Sequence, residues 1–414
     1  MKNHTTPWLL VLVLLIPELA FGIDITDNLT LRGYVRETPL LWELPAYLST
    51  SGNDEQQFTN LLHTRQNLRY YLGNATMGVE LKTRLFNGDA VQAMRSQTDQ
   101  LGGNRALFNW EHAFVDENRT LLVSTIDRTW IDLYAGDWQV TIGRQRIAWG
   151  STQVWNPTDI FNPSSPIDFD NEEKPGSDGV RIQRYLGTNS KLEFAFATSS
   201  LENEREMTVA GRVVINAFDY DWSLLMGSHL DHSIVGGGFE GDLFGGGFRG
   251  EVLYTIQREA EVLQVMHSPS YYPLVMPSGY VRRFGNYVRF ALDGDYTFPN
   301  SFYLHGGVRY NKNGATEDAG ALLNQYYSFE QQWQSPARWS LFGQIGGNPT
   351  ALMRTDLMAI LNPLDSSWYA GPTITYSVIT NLDLTLTGLI FEGDTNTEFG
   401  GQGAIYMGRL KYSF

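Results

Sequence analysis

Residues Met407 to Phe414, MGRLKYSF, end the chain on an aromatic residue and set Tyr412, Leu410, Gly408 and Tyr406 at every second position before it. Successive side chains of a strand point to opposite faces, so this spacing makes one apolar row and puts Met407, Arg409, Lys411 and Ser413 on the other face. A strand at the very terminus needs a partner. Working back from it, the same alternation recurs in segments of about 9 to 13 residues. In residues 75 to 86, Ala75, Met77, Val79, Leu81 and Leu85 oppose Thr76, Glu80, Lys82 and Arg84. Val288, Phe290, Leu292, Tyr296 and Phe298 likewise oppose Arg289, Asp293 and Asp295, and Phe302, Leu304, Val308 and Tyr310 oppose Tyr303, His305 and Arg309. The polar faces carry charge in too many strands for a dry sandwich core, because an unpaired buried charge is costly. Hydrocarbon outside and water inside a closed ring of strands satisfies both faces.

Composition agrees. The chain holds 41 Gly, 11 Trp, 21 Tyr and 22 Phe, and beyond its first residues no apolar stretch is long enough for a membrane helix. Rings this numerous suit the interfacial girdles of a barrel. There is no Cys, which excludes a disulfide scaffold, a thiol enzyme, a Cys-ligated metal and a lipidated Cys. At the start, Lys2, the apolar run Trp8 to Ile16, Pro17 and the small residues Ala20 and Gly22 have the order of a secretory signal, expected over 1–22, with the mature chain over 23–414.

Resemblance enters here. The final strand ending at Phe414 is similar to the closing strand of Gram-negative outer-membrane β-barrels. That likeness implies the bacterial outer membrane as location, recognition by the barrel-assembly machinery, and lipid and lipopolysaccharide as neighbours.

Connections set the strand number. Tight turns are expected at Gly73-Asn74, Ala135-Gly136-Asp137, Gly187-Thr188-Asn189, Asp219-Tyr220-Asp221, Gly241-Asp242, Pro299-Asn300, Gly347-Asn348-Pro349 and Asn381, each with a Gly, Asn, Asp or Pro that turns require. Long connections are expected near 37–58, 87–125, 150–177, 200–206, 258–283, 312–336, 362–367 and 393–402, with a minimal one near Asp231. With tight turns in the periplasm and long ones outside, the chain makes a single all-β domain: an antiparallel up-and-down transmembrane barrel of about 18 strands. Residues 105–117 are expected to be a structured part of the second outer loop.

The inward faces of these strands carry Arg32, Arg36, Arg65, Arg69, Lys82, Arg84, Arg128, Arg181, Lys191, Arg212, Arg249, Arg289, Arg309, Arg338, Arg354, Arg409 and Lys411. Against them stand Glu80, Asp132, Glu193, Asp221, Glu251, Asp293, Asp295, Asp356 and Asp383. The whole chain has a formal charge of -15, so a basic wall places the acidic excess in loops and rims. A positive wall around a water-filled tube raises the local anion concentration, and the Arg fork suits carboxylates and phosphates. Cross-strand pairing that merely holds the barrel round is the plainer reading of any one of these charges.

Residues 138–181 are the most distinctive stretch, with GRQRIAWG, WNPTDIFNP and EEKPGSDGVR. Pro157, Pro163, Pro166 and Pro175 stiffen the loop over 150–177, and stiffness suits a pore constriction. Trp155, Asp159, Asp168, Asp170, Glu172 and Glu173 are its candidate residues, folded inward against the basic wall. Strict alternation puts Arg144 and Arg146 on the lipid face with Val140 and Ile142, so a bulge near Gly143 is expected to turn both inward. The stretch, about a tenth of the chain, resembles the strand-loop-strand element of porin-like families that include the alginate-export barrels. The resemblance implies a constricting loop and an Arg-lined conduit, in a chain that is short and has modest outer loops.

No catalytic constellation emerges. His63, His112, His229, His232, His267 and His305 are scattered, and none stands with a Ser nucleophile and an acid. No metal loop spacing, cofactor motif or nucleic-acid signature is read in the chain. The expected function is a porin-like channel for passive diffusion of small hydrophilic, anionic solutes. The alternative is an export conduit or a surface-anchoring receptor barrel for an acidic glycan.

Overall fold

The computed structural model describes residues 23–44, 56–91, 107–163, 173–201, 204–257, 262–264, 281–283 and 285–414. The expected signal segment and Asp168, Asp170 and Glu172 lie outside these residues.

Eighteen antiparallel strands form the wall. They are β1 (Leu29–Glu43), β2 (Gln56–Leu72), β3 (Ala75–Gly88), β4 (Thr120–Ala135), β5 (Trp138–Gln145), β6 (Ser177–Tyr185), β7 (Lys191–Leu201), β8 (Glu204–Ala217) and β9 (Tyr220–His229). The second half comprises β10 (His232–Leu243), β11 (Gly246–Ile256), β12 (Tyr287–Thr297), β13 (Tyr303–Asn311), β14 (Trp339–Thr350), β15 (Met353–Leu361), β16 (Trp368–Ile379), β17 (Leu382–Glu392) and β18 (Ala404–Ser413). Each strand pairs with its sequence neighbours, and β1 pairs with both β2 and β18, which closes the ring. At the seam Tyr34 lies opposite Ser413, and the amides of Gly33 and Phe414 donate to each other's carbonyl at 2.8 and 2.9 Å.

Alternation sorts the side chains as lipid and water demand. Met77, Val79 and Leu81 are exposed on β3 while Glu80, Lys82 and Arg84 are buried. Leu224 and Met226 on β9 and Leu384 and Leu386 on β17 belong to the same exposed apolar belt. Tyr70, Trp138, Trp222 and Tyr296 stand on its lower girdle and Phe58, Trp339, Trp368 and Tyr406 on its upper one, the placement aromatic rings favour at membrane interfaces.

Six of the eight expected tight turns fall as read. Two move outward along their strands. The turn placed at Gly241-Asp242 lies at Phe244 and Gly245, both at positive φ, where the Asp242 carboxylate accepts the Gly245 amide at 2.9 Å. The turn placed at Gly347-Pro349 lies at Ala351 and Leu352, because β14 runs on through an irregular register to Thr350. Several outer connections are shorter than expected, since β1 reaches Glu43, β4 begins at Thr120, and β7 and β8 run to Leu201 and from Glu204.

Outside the eighteen, residues Glu111–Glu117 form a strand on the free upper edge of β4, with Glu111 opposite Thr125. It occupies the edge that the short β5 leaves open after pairing only as far as Thr129. The outer connection after β13 carries a helix, α1 (Leu322–Glu330), whose Tyr327 packs with Trp333 and Tyr287.

Candidate functional site

Residues 147–162, beyond β5, cross the lumen. Asn162 clamps the two ends of the loop: its Oδ1 accepts the Ile147 amide at 2.8 Å, and its Nδ2 donates to the Pro175 carbonyl and to Ser177 Oγ. On one side Ile147, Trp149, Ile160 and Phe161 pack against inward Ala195, Ala197, Ala210, Leu225, Ile234 and Leu253 of β7 to β11. On the other, Trp155 packs with Leu40, Ala291, Phe342, Ile360, Tyr369, Leu389 and Met407 of β1, β12 and β14 to β18. Both indoles are almost wholly buried, so the loop is a bar braced on two walls.

A single carboxylate fastens the middle of that bar. Glu251 of β11 accepts from the amides of Ser151, Thr152 and Thr158, from the hydroxyls of Thr152 and Thr158, and from Asn156 Nδ2. The Thr158 hydroxyl approaches to 2.7 Å and the Thr152 amide to 2.6 Å. A buried carboxylate without partners is costly, and here both oxygens meet donors. Asp293 of β12 accepts the Gln153 amide at 2.8 Å, and Gln334, beyond α1, accepts the Asn156 amide at 2.7 Å. Pro157 and Pro163 carry no amide that would need a partner here.

The charged part of the site lies across the lumen on β2, β3 and β4. Arg65 Nη2 meets Glu80 at 2.5 Å, Asp127 at 2.7 Å and Glu173 at 3.2 Å. Arg128 reaches Glu80 and Glu173, each at 3.3 Å, and donates to the Lys174 carbonyl. Lys82 stands 3.9 Å from Asp127 and Arg84 3.8 Å from Glu111. A register shift between Glu80 and Leu81 makes a bulge at Asp127, which brings Asp127 and Arg128 to the same inner face. Glu173 therefore carries the return limb of the loop onto the basic wall.

Charge is sorted around the ring. Arg36, Arg65, Lys82, Arg84, Arg128, Arg409 and Lys411 occupy inward positions from β18 to β4, with Glu80, Asp127 and Asp132 among them. Glu240, Asp242, Glu251, Asp293, Asp295, Asp356 and Asp383 occupy inward positions from β10 to β17, among Arg249, Arg289, Arg309 and Arg354.

The other expected residues take varied places. Arg32 pairs with Asp24 at the periplasmic end, where Arg69 is exposed. Arg181 lies inward opposite Thr141, and Arg212 stands 4.0 Å from Glu193. Arg249 binds Glu240, Asp293 and Asp295, and Arg354 binds its near neighbour Asp356. Arg289 lies beside the Tyr287 ring, and Arg309 donates to the carbonyls of Ser335 and Ala337. Asp159 is held by Lys174 at 2.6 Å in the heart of the loop, so it does not face the basic wall as Glu173 does. Arg409 sits inward opposite Thr385.

Arg144 and Arg146 differ from expectation. The register of β5 with both neighbours passes through Gly143 without a shift, so no bulge turns them inward. Gly143 instead takes φ +118, where an added Cβ would strike the Thr129 carbonyl. Arg144 keeps its outward register, pairs with Asp178 at 2.8 Å, donates to the Phe108 carbonyl and lies 4.6 Å from the Trp110 ring centroid. It seals the wall beneath the extra strand, and Arg146 is exposed beyond the end of β5. The anchoring role of Glu251, the clamp at Asn162 and the bulge at Asp127 escape a reading by alternation. The run Asn-Pro-Thr-Asp-Ile-Phe-Asn-Pro was their one visible signal.

Scans against protein-family models and curated proteins match nothing. Solved structures match along almost the whole length. Acinetobacter baumannii OccAB4 aligns at TM-score 0.55 and 7% identity, over 94% of this chain and 98% of that one. OccAB1 of the same organism aligns at 0.54 and 9%, over 96% and 99%. Pseudomonas aeruginosa OccK9 (OpdG) aligns at 0.52 and 11%, over 94% and 98%. In fold the chain is similar to the Occ proteins. A closed ring of strands with an apolar outer belt satisfies its backbone inside a bilayer, and such single-chain barrels are those of the bacterial outer membrane. The chain is thus a closed antiparallel β-barrel of eighteen strands whose loop after β5 is folded into the lumen.

Proposed function

We propose that the barrel is a channel for passive diffusion of small hydrophilic solutes carrying negative charge, chiefly carboxylates. The observation that carries this reading is the eyelet between the braced loop and the wall of β2 to β4, where Arg65, Lys82, Arg84 and Arg128 cluster about Glu80, Asp127 and Glu173. Pairing keeps these side chains fixed, and each guanidinium carries several N–H donors, so a passing carboxylate can exchange places with one of the acidic partners. The acidic inward positions of β10 to β17 face that wall across the lumen. A solute with separated charges would therefore be oriented as it passes.

Single-channel recording in planar bilayers tests the proposal. Discrete open steps with a reversal potential on the anion side are expected in a salt gradient. Absence of steps, or a cation-side reversal, overturns it; silence combined with binding of an acidic glycan would favour the receptor alternative.

A further inference from the structure

The outward face of β1 to β4 departs from the apolar belt. On β2 the girdle residues Phe58 and Tyr70 bracket Asn60, Thr64 and Gln66 on the same face. Register then carries the polar row sideways, with Thr64 opposite Thr83 on β3 and Thr83 opposite Ser124 on β4. Glu37 on β1 joins it, because Asn60 Nδ2 donates to its carboxylate at 3.1 Å. Elsewhere the same band is hydrocarbon-like: Trp222, Leu224 and Met226 on β9, and Leu384 and Leu386 on β17.

Within the stripe, the Thr83 and Ser124 hydroxyls bond to each other at 2.7 Å, and Gln66 donates to Thr64 at 3.1 Å. These contacts use only part of the capacity present, since each hydroxyl can donate once and accept twice and the Gln amide has two donors. Lipid chains offer no partner for the remainder, and a charge on the lipid face of a barrel is unfavourable at depth.

We propose that this stripe is the contact through which the barrel associates with a second copy of itself. Two features favour a copy over another occupant. Hydroxyl and amide groups both donate and accept, so the stripe complements itself when a symmetry operation brings two copies together. The residues at its centre are also short, letting two walls approach closely, as small polar residues do where membrane segments pack. Four strands spaced about 4.8 Å apart and six residues of height give a patch of roughly 400 Å², in which Leu62, Leu81, Leu85 and Leu122 stand among the polar groups. A specific contact needs about 800 Å² per partner, so the contact runs past the stripe onto the flanking Phe58, Leu68 and Met77 of the same faces.

The chain has no Cys, so one introduced thiol reports one position. Thr83→Cys should cross-link to the size of two barrels with a short bismaleimide in native membranes. Leu292→Cys on β12, halfway round the ring, should stay single. Native mass spectrometry from lipid nanodiscs should give a multiple of the single-barrel mass for the wild type. The triple variant Thr64→Leu, Gln66→Leu, Thr83→Leu should fall to one barrel, with heat-modifiable gel migration confirming closure. If the triple variant fails to fold, the two Cys variants still decide. A wild type of single-barrel mass, equal cross-linking at both sites, or association that appears only with added lipopolysaccharide overturns the proposal.

Discussion

The inner walls of β7 to β11 and of β1 to β4 are built by the same alternation, yet one is dry and the other charged. In the first, Ala195, Ala197, Ala210, Leu225, Ile234 and Leu253 face inward and meet Trp149 and Phe161, so the lumen is filled there as a core is filled. In the second, Arg65, Arg128, Lys82, Glu80 and Asp127 face inward and hold one another. Packing fixes the loop on one side, and ion pairs receive its return limb on the other. The dry side acts as foundation, and the proposed passage runs on the charged side.

The largest expected effect comes from removing the fastening between the two sides. Glu251→Ala removes the acceptor shared by six donors of the loop, of which the Thr152 and Thr158 hydroxyls and Asn156 Nδ2 keep a backbone carbonyl, and hydrogen bonds to a charged group are worth about 1.5–3 kcal/mol each, though not additively. Single-channel conductance should rise severalfold with added noise; unchanged conductance would mean packing alone holds the loop. Next is Trp155→Ala, which empties a buried site and should cost about 3–5 kcal/mol of stability. It should widen the channel less than Glu251→Ala does, in the same recordings.

Selectivity should respond on the charged side. Arg65→Ala should move the reversal potential toward the cation side, and Arg69→Ala, exposed at the periplasmic end, should barely move it. Equal shifts would mean that the whole bore, not the eyelet, sets selectivity. The smallest effect is expected at the outer mouth, where burial pushes the Glu398 carboxyl up to about 7 beside Ser335 and Arg309. A raised acid binds its proton more tightly in the folded loop, so docking of residues 393–403 is favoured below about pH 4.5 and weakens as pH rises through 7. Hydrogen exchange of that loop should quicken between about pH 5 and pH 8, and Glu398→Gln should flatten the profile.

Much of this architecture could be read before any coordinates. Period-two alternation, the turn residues and the terminal strand gave a single closed barrel of the right strand number, because lipid and water impose opposite demands on adjacent side chains. The Pro-rich segment with Trp155 was legible as an inward loop for a local reason, its stiffness. What failed was anything depending on a second contact at a distance. Inward Ala195, Leu225 and Leu253 break alternation because the loop, not water, lies over them. Asp127 entered the lumen through a bulge of one residue, which shifts every subsequent side chain and leaves no compositional mark. Arg144 looked anomalous on the lipid face, and its partner Asp178 and cover Trp110 lie 34 residues on and 34 residues back.

The seam between β1 and β18 joins the earliest wall strand to be synthesised with the last. Gly33 exchanges two backbone hydrogen bonds with Phe414, so the ring closes only when residues far apart in sequence meet. Every other wall strand pairs with its neighbour in sequence, whereas this pairing joins residues separated by nearly the whole polypeptide, the slowest kind of contact to form. Before that moment the chain is an open sheet with two unpaired margins, prone to pair with a neighbour. Loss of the Gly33–Phe414 pair would therefore be felt in closure of the ring far more than in the body of the finished wall.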